Sequence, residues 1–325
     1  MSDPPLHASP ANPLPPGGTA LWLTAGDGTR LRAAFWPASL AVPRGTVTIA
    51  PGRAEFIEKY FETIGELRAR GFAVAAFDWR GQGGSQRDLP GARKGHVDDF
   101  SLYGRDLAAL EAQLLAPLAP RPWFGLAHSM GAAACLATAR AGALPFERLV
   151  LSAPLIAIHG IEARRAPRIL ATLLDGCGFG AAYIPAGGDT SAMTRPFAGN
   201  ALTADPVRYA RNAEIAAAHP ELAIGDPTIG WVAACFRQLD AFAEFDCPRR
   251  ILTPTLIVAA GADTVVSTPA TERFAARLKA GRALIIPTAR HEILMERDEI
   301  RAQFWAAFDA FVPGEAGRAP VAPTG

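Results

Sequence analysis

Three residues far apart in this chain have the types needed for nucleophilic acyl transfer: Ser129, Asp263 and His291. A serine hydroxyl is a poor nucleophile until a base removes its proton, and the base needs an acid to hold its tautomer. Ser129 sits in Pro122-Trp-Phe-Gly-Leu-Ala-His-Ser-Met-Gly-Ala-Ala-Ala-Cys-Leu, where an apolar run passes straight into an Ala-rich helical segment. That pattern predicts a strand, a tight turn and a helix, with the serine at the turn. Ala127 and Gly131 are small enough to let the backbone bend sharply and bring Ser129 out at the end of a sheet. The spacing is that of a G-x-S-x-G nucleophile elbow with Ala127 in the first glycine position. A chance Ser-x-Gly at a strand-helix junction would look the same, so the partners decide.

The candidate base is His291, which follows the apolar run Ala283-Leu-Ile-Ile-Pro and so lies on a loop at the carboxyl end of a strand. Catalytic groups of open α/β sheets gather at that edge. His128 precedes Ser129 on the strand side of the turn and reads as a packed, hydrogen-bonded residue pointing away from it. His96 reads as structural. The candidate acid is Asp263, beyond the buried run Thr255-Leu-Ile-Val-Ala-Ala and its break at Gly261; a turn or helix-capping role is the plainer alternative. An oxyanion needs two backbone N–H donors. Met130, at the start of the helix, offers one. Arg53, after the turn at Gly52 in Ala50-Pro-Gly-Arg-Ala-Glu-Phe, offers the other. Glu55 opens the next helix, where a carboxylate suits the dipole as well as a site. Asp78-Trp-Arg-Gly-Gln-Gly-Gly-Ser is glycine-rich but has neither G-x-G-x-x-G nor G-K-[ST], and reads as a tight connection beside the site.

These residues need a scaffold, and the rest of the chain predicts one. Ala20–Thr24 and Arg30–Trp36 read as a hairpin around Gly26-Asp27-Gly28. Strands 45–50, 72–78, 122–128 and 148–153 then alternate with helices 55–70, 102–115 and 130–141. Late in the chain come strands 254–260 and 283–287 and helices 269–278 and 292–311. Continuous apolar strands separated by helices imply an α/β fold whose central sheet is mostly parallel and covered on both faces. Between 158 and 250 the alternation stops and prolines punctuate helical patterns, which predicts a helical lid inserted between the core segments 19–157 and 251–312. Within it, Arg164, Arg165 and Arg168 precede Ile169, Leu170, Leu173 and Leu174. A helix there could lay its apolar stripe over an acyl pocket, or simply pack the lid onto the core.

Composition removes several functions. Of 325 residues half are hydrophobic and the net charge is +1, so no nucleic-acid partner is expected. The four cysteines have no framework or C-x-x-C spacing, and no His/Cys/Asp/Glu cluster has zinc spacing, so neither disulfides, metal nor cofactor is expected. No apolar run reaches the ~18 residues of a membrane span. Residues 1–18 are Pro-rich without a signal-peptide pattern, and with 313–325 they read as disordered. The expected location is the cytoplasm, with room for peripheral contact at the inner face of the membrane.

Taken together, these motifs resemble the α/β-hydrolase superfamily, and within it the bacterial lysophospholipase and monoacylglycerol lipase group labelled serine aminopeptidase-type hydrolases. The resemblance runs from about Leu21 to Phe311. It rests on Pro51-Gly-Arg-Ala-Glu-Phe-Ile-Glu-Lys-Tyr, Asp78-Trp-Arg-Gly-Gln-Gly-Gly-Ser, Gly95-His-Val-Asp-Asp-Phe, the serine elbow, Gly-Ala-Asp263 and the late His291. It departs from the group at Ala127, and at Pro51 where many monoacylglycerol lipases have His. It implies a Ser129–Asp263–His291 triad, oxyanion N–H groups from Arg53 and Met130, and Glu55 near the polar group of the substrate. The activity implied is hydrolysis of a single-chain acyl ester or lysolipid. An amidase or peptidase with the same triad, or a silent binding protein on the same fold, are the alternatives.

Overall fold

The computed structural model describes residues 3–89, 93–162 and 164–313. One eight-stranded sheet runs through it in the order β1-β2-β4-β3-β5-β6-β7-β8. The first two strands, β1 (Thr19–Thr24) and β2 (Arg30–Trp36), form an antiparallel hairpin. β2 then pairs antiparallel with β4 (Ala73–Phe77). Every later pairing is parallel, through β3 (Thr46–Ala50), β5 (Trp123–His128), β6 (Arg148–Ser152), β7 (Thr255–Ala260) and β8 (Gly281–Ile286). In β3, β4, β5 and β7 every residue is buried, as strands covered on both faces require.

The covering helices are α1 (Phe61–Ala69), α2 (Ser101–Leu110) with its π-helical extension Glu111–Leu115 and the short α3 (Ala116–Leu118), and α4 (Ser129–Arg140). Between β6 and β7 the described residues form no strand of the sheet. They hold α5 (Arg165–Leu174), α6 (Pro206–Ala218) and α7 (Ile229–Ala243), joined by loops and short turns. The core closes with α8 (Thr268–Ala275) and α9 (Asp298–Phe311).

Three expectations shift. The first helix does not begin at Glu55: a 3-10 turn, Ile57–Tyr60, precedes α1, because Glu55 is drawn inward. Nor is 292–311 one helix. A 3-10 turn, Ile293–Met295, ends at the extended Glu296, and α9 starts after Arg297. The reason is Glu296: its buried carboxylate accepts from Arg290 N (2.8 Å) and Ala204 N (2.9 Å), bonds that an unbroken helix would forbid. The N-terminal segment is packed, not disordered, from residue 3 to 18. The Asn12 side chain donates to Glu58 O (2.9 Å), Trp36 Nε1 donates to Pro15 O (3.0 Å), and Arg32 donates to Pro5 O (3.1 Å). Proline-rich composition lowers the entropy lost on ordering, and these bonds fix the strap against β2 and the turn before α1. Met1, Ser2 and 314–325 lie outside the described residues.

Candidate active site

The carboxyl ends of β3, β5, β7 and β8 present the loops that carry the predicted chemistry. At the end of β5 the chain turns directly into α4, and Ser129 takes φ +47°, the left-handed region that side chains avoid. Such strain persists where packing over-determines it, as at nucleophile elbows. Gly131 explains how tightly the turn is held: a Cβ there would lie 2.3 Å from Pro51 O and 2.5 Å from Ala50 O. The loop after β3, which carries Arg53, therefore presses against the first turn of α4, which carries Met130. The N–H groups in a first helical turn have no intrahelical acceptor.

Across the edge, His291 Nε2 lies 2.9 Å from Ser129 Oγ, and His291 Nδ1 lies 2.8 Å from Asp263 Oδ2. Gly261 ends β7 where a Cβ would strike Pro287, and the chain then delivers Asp263. The other carboxylate oxygen of Asp263 accepts from Val265 N (2.7 Å) and Val266 N (3.0 Å). Burial alone would raise the pKa of Asp263. The His291 hydrogen bond, its charge and the two N–H groups overcome this and hold the carboxyl below its ordinary value. Ser129, Asp263 and His291 are buried, at 8%, 6% and 4% exposure. The structure thus brings together the three residues that the sequence placed on separate loops.

Glu55 is placed differently from the expectation. It is not at an open surface where a substrate's polar group would sit, but 2% exposed. Its carboxylate accepts from Gly52 N, from Lys59 Nζ (2.5 Å) and from Tyr60 OH (2.6 Å). Lys59 also pairs with Glu292 (2.6 Å), the residue after His291. His128 completes the group: Nδ1 lies 3.0 Å from Glu55 Oε1, and Nε2 donates to His291 O (3.2 Å). The Nδ1 approach is an ionic contact, too poorly angled for a directed hydrogen bond. His128 is thus packed and bonded, but to charged groups. The sequence reading missed Lys59, Tyr60 and Glu292. The signal was an i,i+4 Glu-Lys pair followed by Tyr, at the end of the Pro51–Tyr60 segment that carries the resemblance.

The Asp78–Ser85 connection buttresses the same loop. Gln82 Nε2 donates to Gly52 O (2.7 Å), Trp79 Nε1 to Pro51 O (2.8 Å), and Asp78 accepts from Ile57 N (2.9 Å). The side chain of Arg53 runs the other way, into the segment between β6 and β7, donating to Gly225 O (2.9 Å) with its guanidinium 5.2 Å from the centre of the Trp231 ring. His96 binds Thr228 (2.8 Å) at the start of α7.

A mostly parallel sheet with a strained serine at a strand-helix turn, and a histidine and an aspartate in bonded reach of it on loops after later strands, is the arrangement of an α/β-hydrolase. The chain belongs to the family described as serine aminopeptidase, S33, which it matches over residues 41–298. It is 34% identical over 270 residues to lysophospholipase L2 of Escherichia coli (strain K12), covering 79% of this chain and 76% of that protein. To the probable lysophospholipase L2 of Haemophilus influenzae it is 29% identical over 271 residues, 83% of this chain and 84% of the relative. Among solved structures it shares the fold of a soluble variant of monoglyceride lipase from Saccharomyces cerevisiae (TM-score 0.70, 21% identity, 89% of this chain and 93% of the other). A carboxyl esterase from Bacillus coagulans has it too (TM-score 0.72, 18% identity, 91% and 99%).

Proposed function

We propose that the chain is a serine hydrolase of carboxylic esters bearing one acyl chain, a lysophospholipid or a monoacylglycerol, working through an acyl-enzyme. The observation that carries the reading is the continuous Ser129–His291–Asp263 contact at 2.9 and 2.8 Å. The lysophospholipase names of its relatives favour a lysolipid. Ser129 Oγ attacks the ester carbonyl while His291 Nε2 takes its proton, and Asp263 holds Nδ1–H and the tautomer. The N–H groups of Arg53 and Met130 receive the oxyanion. His291 returns the proton to the leaving alcohol, and the same base then activates water to release the acid. The amide-cleaving alternative uses the same groups, and a silent binding protein would have no need of them. Ser129→Ala should leave a folded protein with activity lowered ~10⁴-fold or more, unlabelled by a fluorophosphonate probe. Wild-type turnover of lysophosphatidylcholine, monoacylglycerol and a chain-length series of p-nitrophenyl esters then ranks substrates. A folded Ser129→Ala keeping a tenth of the activity refutes the reading.

Contact with a lipid surface belongs to the same proposal. Among the described residues no helix is long and apolar enough to cross a membrane. Most of the stripe on α5 faces outward instead of lining a pocket or sealing the lid: Ile169, Leu170 and Leu173 are 52–60% exposed, Leu174 is half-buried and only Ala171 is buried, with Phe179 exposed nearby. Arg164 and Arg165 stand exposed at the start of the helix. Apolar side chains flanked by guanidiniums suit an anionic lipid interface.

A further inference from the structure

The buried group behind the elbow has a composition that packing alone does not require. Two carboxylates (Glu55, Glu292), one ammonium (Lys59), one imidazole (His128) and the Tyr60 phenol meet where all five are buried. Taking charges out of water costs several kcal/mol each unless they are paired and hydrogen-bonded. Lys59 bridges both carboxylates, which leaves one negative charge to balance. Both ring nitrogens of His128 face acceptors, the Glu55 carboxylate and the His291 carbonyl. A neutral imidazole that donates from Nε2 to the His291 carbonyl would turn its Nδ1 lone pair toward the Glu55 carboxylate 3.0 Å away; an imidazolium puts a proton there and makes the approach an ionic contact. Protonated His128 also brings the group to charge neutrality.

The group touches three of the segments that build the proposed catalytic centre. Glu55 holds Gly52 N–H in the loop that ends in Arg53. His128 is the residue before Ser129, and Glu292 the residue after His291. We infer that Glu55, Lys59, Glu292 and His128 form a buried charge clamp that sets the oxyanion loop, the nucleophile turn and the base loop in register, with His128 a permanently protonated positioning residue. The inference rests on the Ser129–His291–Asp263 reading above.

Two consequences are peculiar to the clamp. Burial by itself lowers the pKa of His128; the Glu55 carboxylate, aided by Glu292 and opposed by Lys59, raises it above the ordinary value. The ring of His128 lies 4.9 Å from that of His291, with Asp263 beyond it and Tyr60 on the Glu55 side. A positive charge at that distance shifts a neighbouring titration by roughly 0.5–2.5 pH units at effective dielectrics of about 80 down to 20.

The test compares wild type with His128→Gln, Lys59→Met, Lys59→Arg and Ser129→Ala. The readouts are kcat, KM and the pH dependence of kcat/KM on a soluble p-nitrophenyl ester, and ¹⁵N NMR of the ring nitrogens of His128. The wild-type ring should keep both protons at pH 8, where a free imidazole is mostly neutral. His128→Gln should move the acid limb of kcat/KM up by on the order of one pH unit and lower kcat ~10-fold with KM nearly unchanged. Lys59→Met should lower kcat by more, and Lys59→Arg should restore most of it. A neutral His128 at pH 8 overturns the inference, as does a folded His128→Gln with an unshifted limb and unchanged kcat. If Lys59→Met does not fold, the ring-proton result and His128→Gln still decide. Ser129→Ala separates the two readings: if it remains active both fall, and if it is dead while the limb stays put only the clamp falls.

Discussion

Asp263→Asn is the most discriminating single exchange in this site, because the surroundings dictate which way the amide must face. Asp263 Oδ1 is fixed by two backbone donors, Val265 N and Val266 N, at 2.7 and 3.0 Å. An asparagine must keep its oxygen there, since turning its NH₂ toward two N–H groups would leave three donors facing one another. The NH₂ then points at His291 Nδ1, which in wild type donates to Oδ2 across 2.8 Å. To accept from that NH₂, Nδ1 must carry the lone pair, and the ring proton moves to Nε2. Nε2–H now faces Ser129 Oγ and cannot take its proton. The geometry survives while the base is lost. The expected fall in kcat is about 10⁴-fold, equivalent to about 5.5 kcal/mol at about 1.36 kcal/mol per decade, with KM changed little. The assay is steady-state hydrolysis of a p-nitrophenyl ester, with circular dichroism to show the fold intact. A folded Asp263→Asn enzyme within tenfold of wild type would mean that His291 is not held by this carboxylate during the reaction.

Other perturbations probe the scaffold. Gly131→Ala should cost about 1–3 kcal/mol of stability and lower kcat at least tenfold, because the added Cβ meets Pro51 O and Ala50 O at 2.3 and 2.5 Å; thermal melts and kinetics check it, and a neutral substitution would refute the close approach. The lowered pKa of Asp263 gives a sign for acid: its contribution is complete above the unfolded value of about 3.9 and is lost as pH falls through the folded value. The difference in melting temperature between wild type and Asp263→Asn should therefore shrink below about pH 4. Leu170→Ser with Leu173→Ser removes two half-exposed apolar side chains from α5. At about 1.5–3 kcal/mol per fully buried side chain, partition onto anionic vesicles should weaken roughly 10–100-fold in a sedimentation assay, while hydrolysis of a soluble ester stays unchanged.

What the sequence made legible was whatever is encoded locally. β5 and α4 announce themselves through an apolar run and an Ala-rich helix within twenty residues, so the elbow and Ser129 were readable. Asp263 and His291 were readable because each follows a buried strand whose carboxyl end must reach the same edge. The illegible part was set by contacts distant in sequence. The break at Glu296 depends on Ala204 N and Thr203, in the segment between β6 and β7. The ordering of Pro4–Pro16 depends on Glu58, Arg32 and Trp36. The resemblance alone put Glu55 near the substrate, with a helix-start role as the plain alternative, and nothing local reveals that Lys59 meets Glu292. The outward stripe on α5 was equally hidden: its periodicity establishes that the helix has an apolar side, not which way that side looks.

The same contrast bears on why charge is kept inside this core. Burying Glu55, Lys59, Glu292 and His128 is poor value for stability, since a buried ion pair often contributes no more than well-packed apolar residues would. The strands of the sheet are held by ladder bonds, but the loops beyond their ends are not. The loops that carry Arg53 and His291 are secured by side chains from elsewhere: Gln82 and Trp79 grip the loop after β3, Glu296 grips the approach to His291, and the charged group joins both to the elbow. An apolar replacement would fill the volume but impose no direction on Gly52 N–H or on the carbonyl of His291. Charged hydrogen bonds are short and directional, so on the proposed mechanism they would hold these loops to the precision that a nucleophilic serine, its base and an oxyanion site require.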